Sequence, residues 1–409
     1  MSDHTAGGVP KIRFKGFDAA WEPKNLGQIY KERNERGDDS LPILSVSIHS
    51  GISNSELSDE TLGKKVRRSE DKSLYKRVQA GDLVLNMMRA WQGALGVAKT
   101  EGMVSPAYLT AAPDDTVYPL FMDCGLRRPQ VVAQMNRLSY GVTDFRKRLY
   151  WDSFVRVRFA APSVSEQHKI ASYFSNLDSM ISLHQYKHEK LVVLKRATMQ
   201  KMFPKPGNKI PEVRFDGFSG AWSSEEMKTL GTFSKGAGFS KGDLRASGTP
   251  IVLYGRLYTD YQTAITQVDT FVEDRKGTVK SKGNEVVVPA SGETSEDIAR
   301  ASALLASGII IGGDLNIISP CERLDPYFLA LALSHGQPKY DLARRAQGKT
   351  VVHVRGADIS SVSVSFPELR EQERIAAYFR SIDELIVRHS NQIKKLQQVK
   401  LACQESMFA

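Results

Sequence analysis

Two stretches of the chain place seam residues at alternating steps of four and three. In the first, Ile170, Phe174, Leu177, Ile181, His184, His188, Leu191, Lys195, Thr198 and Met202 form the stripe. In the second, Ile375, Phe379, Ile382, Ile386, His389, Ile393, Leu396, Lys400, Cys403 and Met407 hold the same places. A mean step of about 3.5 residues is a heptad seam and predicts two long helices. Roughly 37 residues rising about 1.5 Å each make rods of about 55 Å. Ser163-x-x-Glu166 after Pro162 reads as a capping box, and Pro204 with Pro206-Gly207 stops the first rod. Each rod is polar outside its stripe and needs a partner. The other rod, running antiparallel, is the natural one, and packing on its own globular module is the alternative.

Ahead of each rod the pattern changes to short β-branched runs, including the alternations Val155, Val157, Phe159 and Val362, Val364, Phe366. Gly81-Asp82-Leu83-Val84-Leu85 has a counterpart in Gly283-Asn284-Glu285-Val286-Val287, and Pro42-Ile43-Leu44 in Pro250-Ile251-Val252. One helical stretch follows each of Pro119 and Pro326, over about 120–138 and 327–346. This predicts compact α+β modules with mixed strands.

The halves are copies of one plan. Arg13-Phe14-Lys15-Gly16-Phe17 leading to Trp21 returns 201 residues later as Arg214-Phe215-Asp216-Gly217-Phe218 leading to Trp222, a packed loop in both places. Pro162, Glu166-Gln167, Ile170-Ala171, Tyr173-Phe174 and Asp178 return 205 residues later as Pro367, Glu371-Gln372, Ile375-Ala376, Tyr378-Phe379 and Asp383. The same shift carries Met202-Phe203 to Met407-Phe408. Two long repeats are not a solenoid. They predict a tandem duplication: a lead-in segment with module one (1–161), a long helix (162–205), a second lead-in with module two (206–366) and a second long helix (367–409).

Composition narrows the class. A chain of 409 residues with 41% hydrophobic and 25% charged residues is ordinary globular material. No apolar run is long enough for a bilayer and Met1 to Gly8 has no signal-peptide core, so a soluble, cytoplasmic protein is expected. Cys124, Cys321 and Cys403 are too few and too scattered for a disulfide framework or a zinc site, and no metal is expected. A net charge of +10 favours a polyanionic partner.

The search for catalytic residues ends without a constellation. Gly348-Lys349-Thr350 imitates the end of a phosphate-binding loop, but Ala343 stands where a glycine is required. Gly236-x-Gly238-x-x-x-Gly242 misses the dinucleotide fingerprint and reads as a turn. Ser105-Pro106-Ala107-Tyr108 resembles the base-holding motif of amino-methyltransferases but lacks its second proline, which makes Tyr108 a packed strand residue. The crowded run from Ser291 to Asp297 has no histidine near it in sequence. His184 and His389 lie on the helix seam, where a buried, satisfied imidazole is expected.

Residues suited to DNA are easier to find. Arg89, Trp91 and Gln92 in module one and Arg256 and Tyr258 in module two set Arg, Gln and aromatic side chains beside turn residues. Arg and Gln are the side chains that bond guanine and adenine edges in pairs of contacts. Arg146, Lys147, Arg148 and Tyr150, matched by Lys349, Thr350, His353 and Arg355, follow a shared Gly-x-Thr and suit the backbone. Ser291 and Glu293 complete the candidate set.

Taken together, the twin lead-ins, both Pro…Glu-Gln-x-x-Ile-Ala-x-Tyr-Phe helix starts, Gly81-Asp82-Leu83-Val84 with Arg89-Ala90-Trp91-Gln92-Gly93, Ser105-Pro106-Ala107-Tyr108, Ser291-Gly292-Glu293-Thr294 and Gly312-Gly313-Asp314 resemble the specificity subunit of type I restriction-modification enzymes. The resemblance covers nearly the whole chain. It implies two target recognition domains, each reading one half of a split double-stranded DNA site, and two helices pairing antiparallel as a pseudo-two-fold coiled-coil spacer. It implies a non-catalytic chain. S-adenosylmethionine chemistry on adenine belongs to two modification subunits, and ATP- and Mg-dependent translocation and cleavage to restriction subunits. The physical expectation is an asymmetric site with half-sites about one helical turn, roughly 34 Å, apart. A stand-alone fused methyltransferase or restriction enzyme and a coiled-coil adaptor without a DNA role are the alternatives.

Overall fold

The structure is a computed structural model, and it describes residues 8–48, 51–53, 72–142, 146–348 and 350–409. Contacts divide the chain into two compact units, Met1–Leu183 with Gln392–Ala409, and His184–Asn391. Each long helix therefore contributes to both: Val164–Met202 passes from the first unit to the second at His184, and Leu369–Ser406 passes back at Gln392.

In the first unit the central strand Leu83–Asn86 is flanked antiparallel by Leu95–Val97 and Tyr108–Pro113, with Tyr30–Glu32 outside the latter. Leu83, Val84 and Leu85 are fully buried, as a run of β-branched and leucine residues covered on both faces must be. A ribbon of Glu22–Asn25 and Arg158–Ala161 closes the chain ends of the module.

The second unit repeats this frame and enlarges it. Glu285–Pro289 is the buried central strand of a five-stranded sheet, and a ribbon of Ser223–Glu226 and Ser363–Phe366 closes the module. Another five-stranded sheet orders Leu244–Arg245, Phe271–Val272, Thr249–Val252, Ser307–Ile311 and Lys280–Lys282. Parallel pairs occur here within otherwise antiparallel sheets, giving the mixed strands expected, whereas the strand pairs described in the first unit are all antiparallel. Gly236 lets two backbones meet between the sheets, since a side-chain carbon there would stand 2.0 Å from the Gly312 carbonyl oxygen.

Several local readings change. The single helical stretch after each proline is two helices, Pro119–Leu126 and Pro129–Leu138 in one unit, Pro326–Leu333 and Gly336–Arg345 in the other. Pro129 explains the first break, because its ring cannot continue the preceding helix but fits a new first turn. Val155 is not a strand residue; it ends the short helix Trp151–Phe154.

The capping box is also replaced. Ser163 Oγ lies 3.1 Å from Ser165 Oγ, and the buried Glu166 carboxylate takes a two-pronged contact from Arg13, Nε to Oε1 and Nη2 to Oε2 at 2.7 Å each. Arg214 grips Glu371 in the same way at 2.7 and 2.6 Å. The following glutamine does a second job in both units. Gln167 accepts from Tyr118 N–H and donates to the Thr116 and Pro162 carbonyls, while Gln372 accepts from Asp325 N–H and donates to those of Arg323 and Pro367. The repeated Glu-Gln thus ties the lead-in and the loop before the next helix to the base of the rod.

All ten seam positions of each rod are buried or half-buried, and most remaining positions are exposed. Ile170, Phe174 and Leu177 join the first unit's core with Leu396, while Ile375, Phe379 and Ile382 join the second's with Leu191 and Ile386; Ile181 is buried as well. The first part of each seam packs on its own module, and the last part of each rod, Met199 and Met202 in one and Cys403 and Met407 in the other, packs into the core of the other module. Antiparallel pairing is explicit inside each unit. Asp178 accepts from Lys400 Nζ at 2.5 Å in the first, and Asp383 accepts from Lys195 Nζ at 2.6 Å in the second, the same contact shifted by 205 residues. His184 and His389 face one another with their Nδ1 atoms 2.8 Å apart, each imidazole satisfying the other.

The Phe that ends each rod closes an aromatic core. In the first unit Phe408 stacks on Phe121 at 5.4 Å and meets Trp21 edge-on at 5.9 Å. In the second Phe203 stacks on Phe328 at 5.5 Å and meets Trp222 at 5.7 Å.

Candidate nucleic-acid interface

In the first unit the chain leaves the buried strand at Asn86, whose side chain accepts from Met88 N–H at 3.1 Å. A single 3-10 turn, Ala90–Gln92, follows, with Ala90 buried and Gly93 at φ 91° reversing the backbone. Trp91 Nε1 donates to the Met88 carbonyl at 2.9 Å. This holds the indole on the turn while Met88, Arg89 and Gln92 face solvent.

A hairpin runs beside that turn. Tyr140 and Arg148 exchange two backbone hydrogen bonds of 3.0 Å, and Leu149 N–H donates to the Met87 carbonyl at 3.0 Å. Lys147 Nζ sits 5.7 Å from the centre of the Trp91 ring, and the Tyr140 and Tyr150 rings meet at a tilt with their centres 4.8 Å apart. Gly141 is required here, because a side-chain carbon would lie 2.3 Å from the Arg146 carbonyl oxygen. Turn and hairpin thus gather Arg89, Trp91, Gln92, Arg146, Arg148 and Tyr150 on one edge.

The second unit builds the same edge from other chemistry. Ser291–Gly292 pairs with Val352–His353, Val354 N–H donates to the Ala290 carbonyl at 3.1 Å, and Gln347 and His353 close the hairpin with bonds of 3.0 and 2.8 Å. Thr294 caps the short helix Ser295–Ile298. Tyr258 donates its hydroxyl to the Ser291 carbonyl at 2.7 Å, and burial pushes its phenol up to about 12. Ser291, Glu293, Thr350, His353 and Arg355 come together around this hairpin, with all but the half-buried Ser291 exposed. Lys349 lies outside the described residues.

Arg256 stands apart from the rest. It lies on the helix Arg256–Thr259, not on a loop, and its guanidinium is held by Asp269 at 2.6 Å and Asp260 at 3.0 Å. Arg300 was missed in sequence, because its position over the Tyr258 and Tyr261 rings, 5.7 and 6.0 Å from their centres, depends on segments about 40 residues away. Met88 and Val142 were missed because single apolar residues in loops carry no periodic signal.

Among the described residues no group of metal-ligating side chains converges, and no helix is long and apolar enough to cross a membrane. The cysteines are free and half-buried, and burial pushes the Cys124 thiol up to about 12.

Residues 221–398 match the family model of the type I restriction modification DNA specificity domain. The fold is similar to the crystal structure of the type I restriction-modification system S subunit from M. genitalium, with a TM-score of 0.59 at 11% identity, covering 98% of this chain and 99% of that one. It is also similar to a chain in the structure described as the structural basis underlying complex assembly and conformational transition of the type I R-M system, with a TM-score of 0.51 at 14% identity and coverages of 97% and 99%. No curated protein sequence matches the chain.

Proposed function

Because residues 221–398 match the family model of the type I restriction modification DNA specificity domain, we propose that the whole chain is a two-headed DNA reader, one half-site to each unit. The observation that carries this reading is the repeated edge of turn and hairpin. Both units clamp the segment leaving the central strand by the same backbone bond, Leu149 to Met87 and Val354 to Ala290, while the side chains presented differ. A common frame with divergent contact residues suits two readers of different sequences, and hence an asymmetric bipartite site.

The long helices act as spacer and as platform for two modification subunits and for restriction subunits. In this reading S-adenosylmethionine, ATP and Mg are handled by those partners in the cytoplasm, and this chain is non-catalytic. Its own residues position the frame: Arg13 with Glu166 and Arg214 with Glu371 lock each module onto a rod. Arg146, Arg148 and Arg355 are exposed cations suited to backbone phosphates. Arg89 and Gln92 are suited to base edges.

The test is a module exchange. Replacing residues 22–161 with the corresponding module of another specificity subunit, in cells holding the modification subunits, should alter one half of the methylated sequence and leave the other unchanged. Alteration of both halves would refute one reader per unit. Methyl transfer by the purified chain alone would favour the fused enzyme.

A further inference from the structure

We propose that the first unit reads a thymine-bearing half-site by apolar contact with thymine methyl groups, through Met88 and the Trp91 indole. The proposal rests on the DNA-reading function above and names what one reading edge takes.

Met88 is 44% exposed on the turn that issues from the buried strand, and its carbonyl is bonded to Trp91 Nε1. That bond consumes the indole's only donor. The tryptophan is left with a ring face and edge to offer, and no base-pairing hydrogen. On the hairpin held against the turn, Tyr140 is 52% exposed and Val142 is 90% exposed. Arg89 is exposed on the same turn, Arg146 and Arg148 are exposed on the hairpin, and Lys147 lies over the indole. Apolar side chains carried on the same turn and hairpin as cations suit a polyanion that carries apolar groups in its groove. In duplex DNA that group is the thymine 5-methyl, which lies in the major groove.

The second unit offers a different surface at the same place. Its turn presents Ser291, Glu293 and Thr294, hydroxyls and a carboxylate, and its hairpin keeps one exposed apolar side chain, Val351. Thymine methyls therefore matter chiefly to the half-site of the first unit.

The experiment selects bound duplexes from random-sequence pools made with thymine or with uracil, which lacks only the methyl group. It uses the full chain with its modification subunits, and the first unit's half-site is identified as the one lost on exchange of residues 22–161. The thymine pool should yield a two-part consensus. In the uracil pool the first part should weaken by about four-fold for each contacted methyl, the value of burying one such group, while the second part holds. Met88→Ser, at an exposed position, should leave the second part intact and abolish the thymine-over-uracil preference in the first. Equal uracil effects on both parts, or a preference that survives Met88→Ser, would overturn the proposal while leaving the two-part reader standing. No consensus in the thymine pool would remove the reader and the proposal together.

Discussion

Arg13 and Glu166 are 153 positions apart, yet their side chains meet in a two-pronged contact with the carboxylate 1% exposed. Deleting the arginine strands a buried charge. Arg13→Ala should cost about 3–5 kcal/mol, read as a lower urea midpoint, and Arg214→Ala should do the same to the second unit through Glu371. Arg13→Lys should recover only part of the loss, because an ammonium cannot make the paired contact. The sequence hid this role behind a plausible cap. A clue lies in the repeat, where Ser163 gives way to Glu368 but the glutamate three places on is kept as Glu371. A residue retained when its supposed partner is replaced serves something else. Phe408 belongs to the same scale: truncation to Ala should cost about 3–5 kcal/mol and first expose Pro119–Leu126 to hydrogen exchange.

The rods were legible because periodicity is a local signal, and every seam position is at least half-buried. The candidate DNA-facing edges were legible only in part. Arg89 and His353 stood out by residue type, but the commitment of Arg256 to Asp260 and Asp269 depends on tertiary folding. The histidine pair adds a pH-dependent element. His389 is held below the usual imidazole range by burial first, then by His184, Lys187, Arg388 and His188, which face it from both rods. A depressed folded pKa means that the unfolded chain takes up the proton first. The stabilisation is therefore complete above about pH 6.5 and is lost as pH falls through the folded value. Melting temperature should fall between about pH 7 and 5. His335 is shifted the same way by burial and then by Lys339, so His389→Gln should flatten the profile only in part. A profile unchanged by His389→Gln would exclude the pair as its source.

At the scale of the whole molecule the rods set a register. Asp178 with Lys400 and Asp383 with Lys195 fix it within each unit. A heptad inserted into both helices, after Leu183 and after Arg388, should preserve those contacts and widen the gap between half-sites in the methylated sequence. A heptad in one helix alone should lower stability by breaking one register. An unchanged gap after the double insertion would end the spacer model. The way each aromatic core is completed has an ancestral consequence. The Phe that finishes the first module comes from the second repeat, and the Phe that finishes the second comes from the first. A gene cut after residue 205 would encode a chain unable to complete its own core, but with a spare Phe203 equivalent to the missing Phe408. Two such half-chains can complete each other and, on the proposed function, would read one half-site twice, as a palindrome. In its cores the single chain is thus equivalent to a pair of half-chains, and joining them leaves each module free to differ from the other.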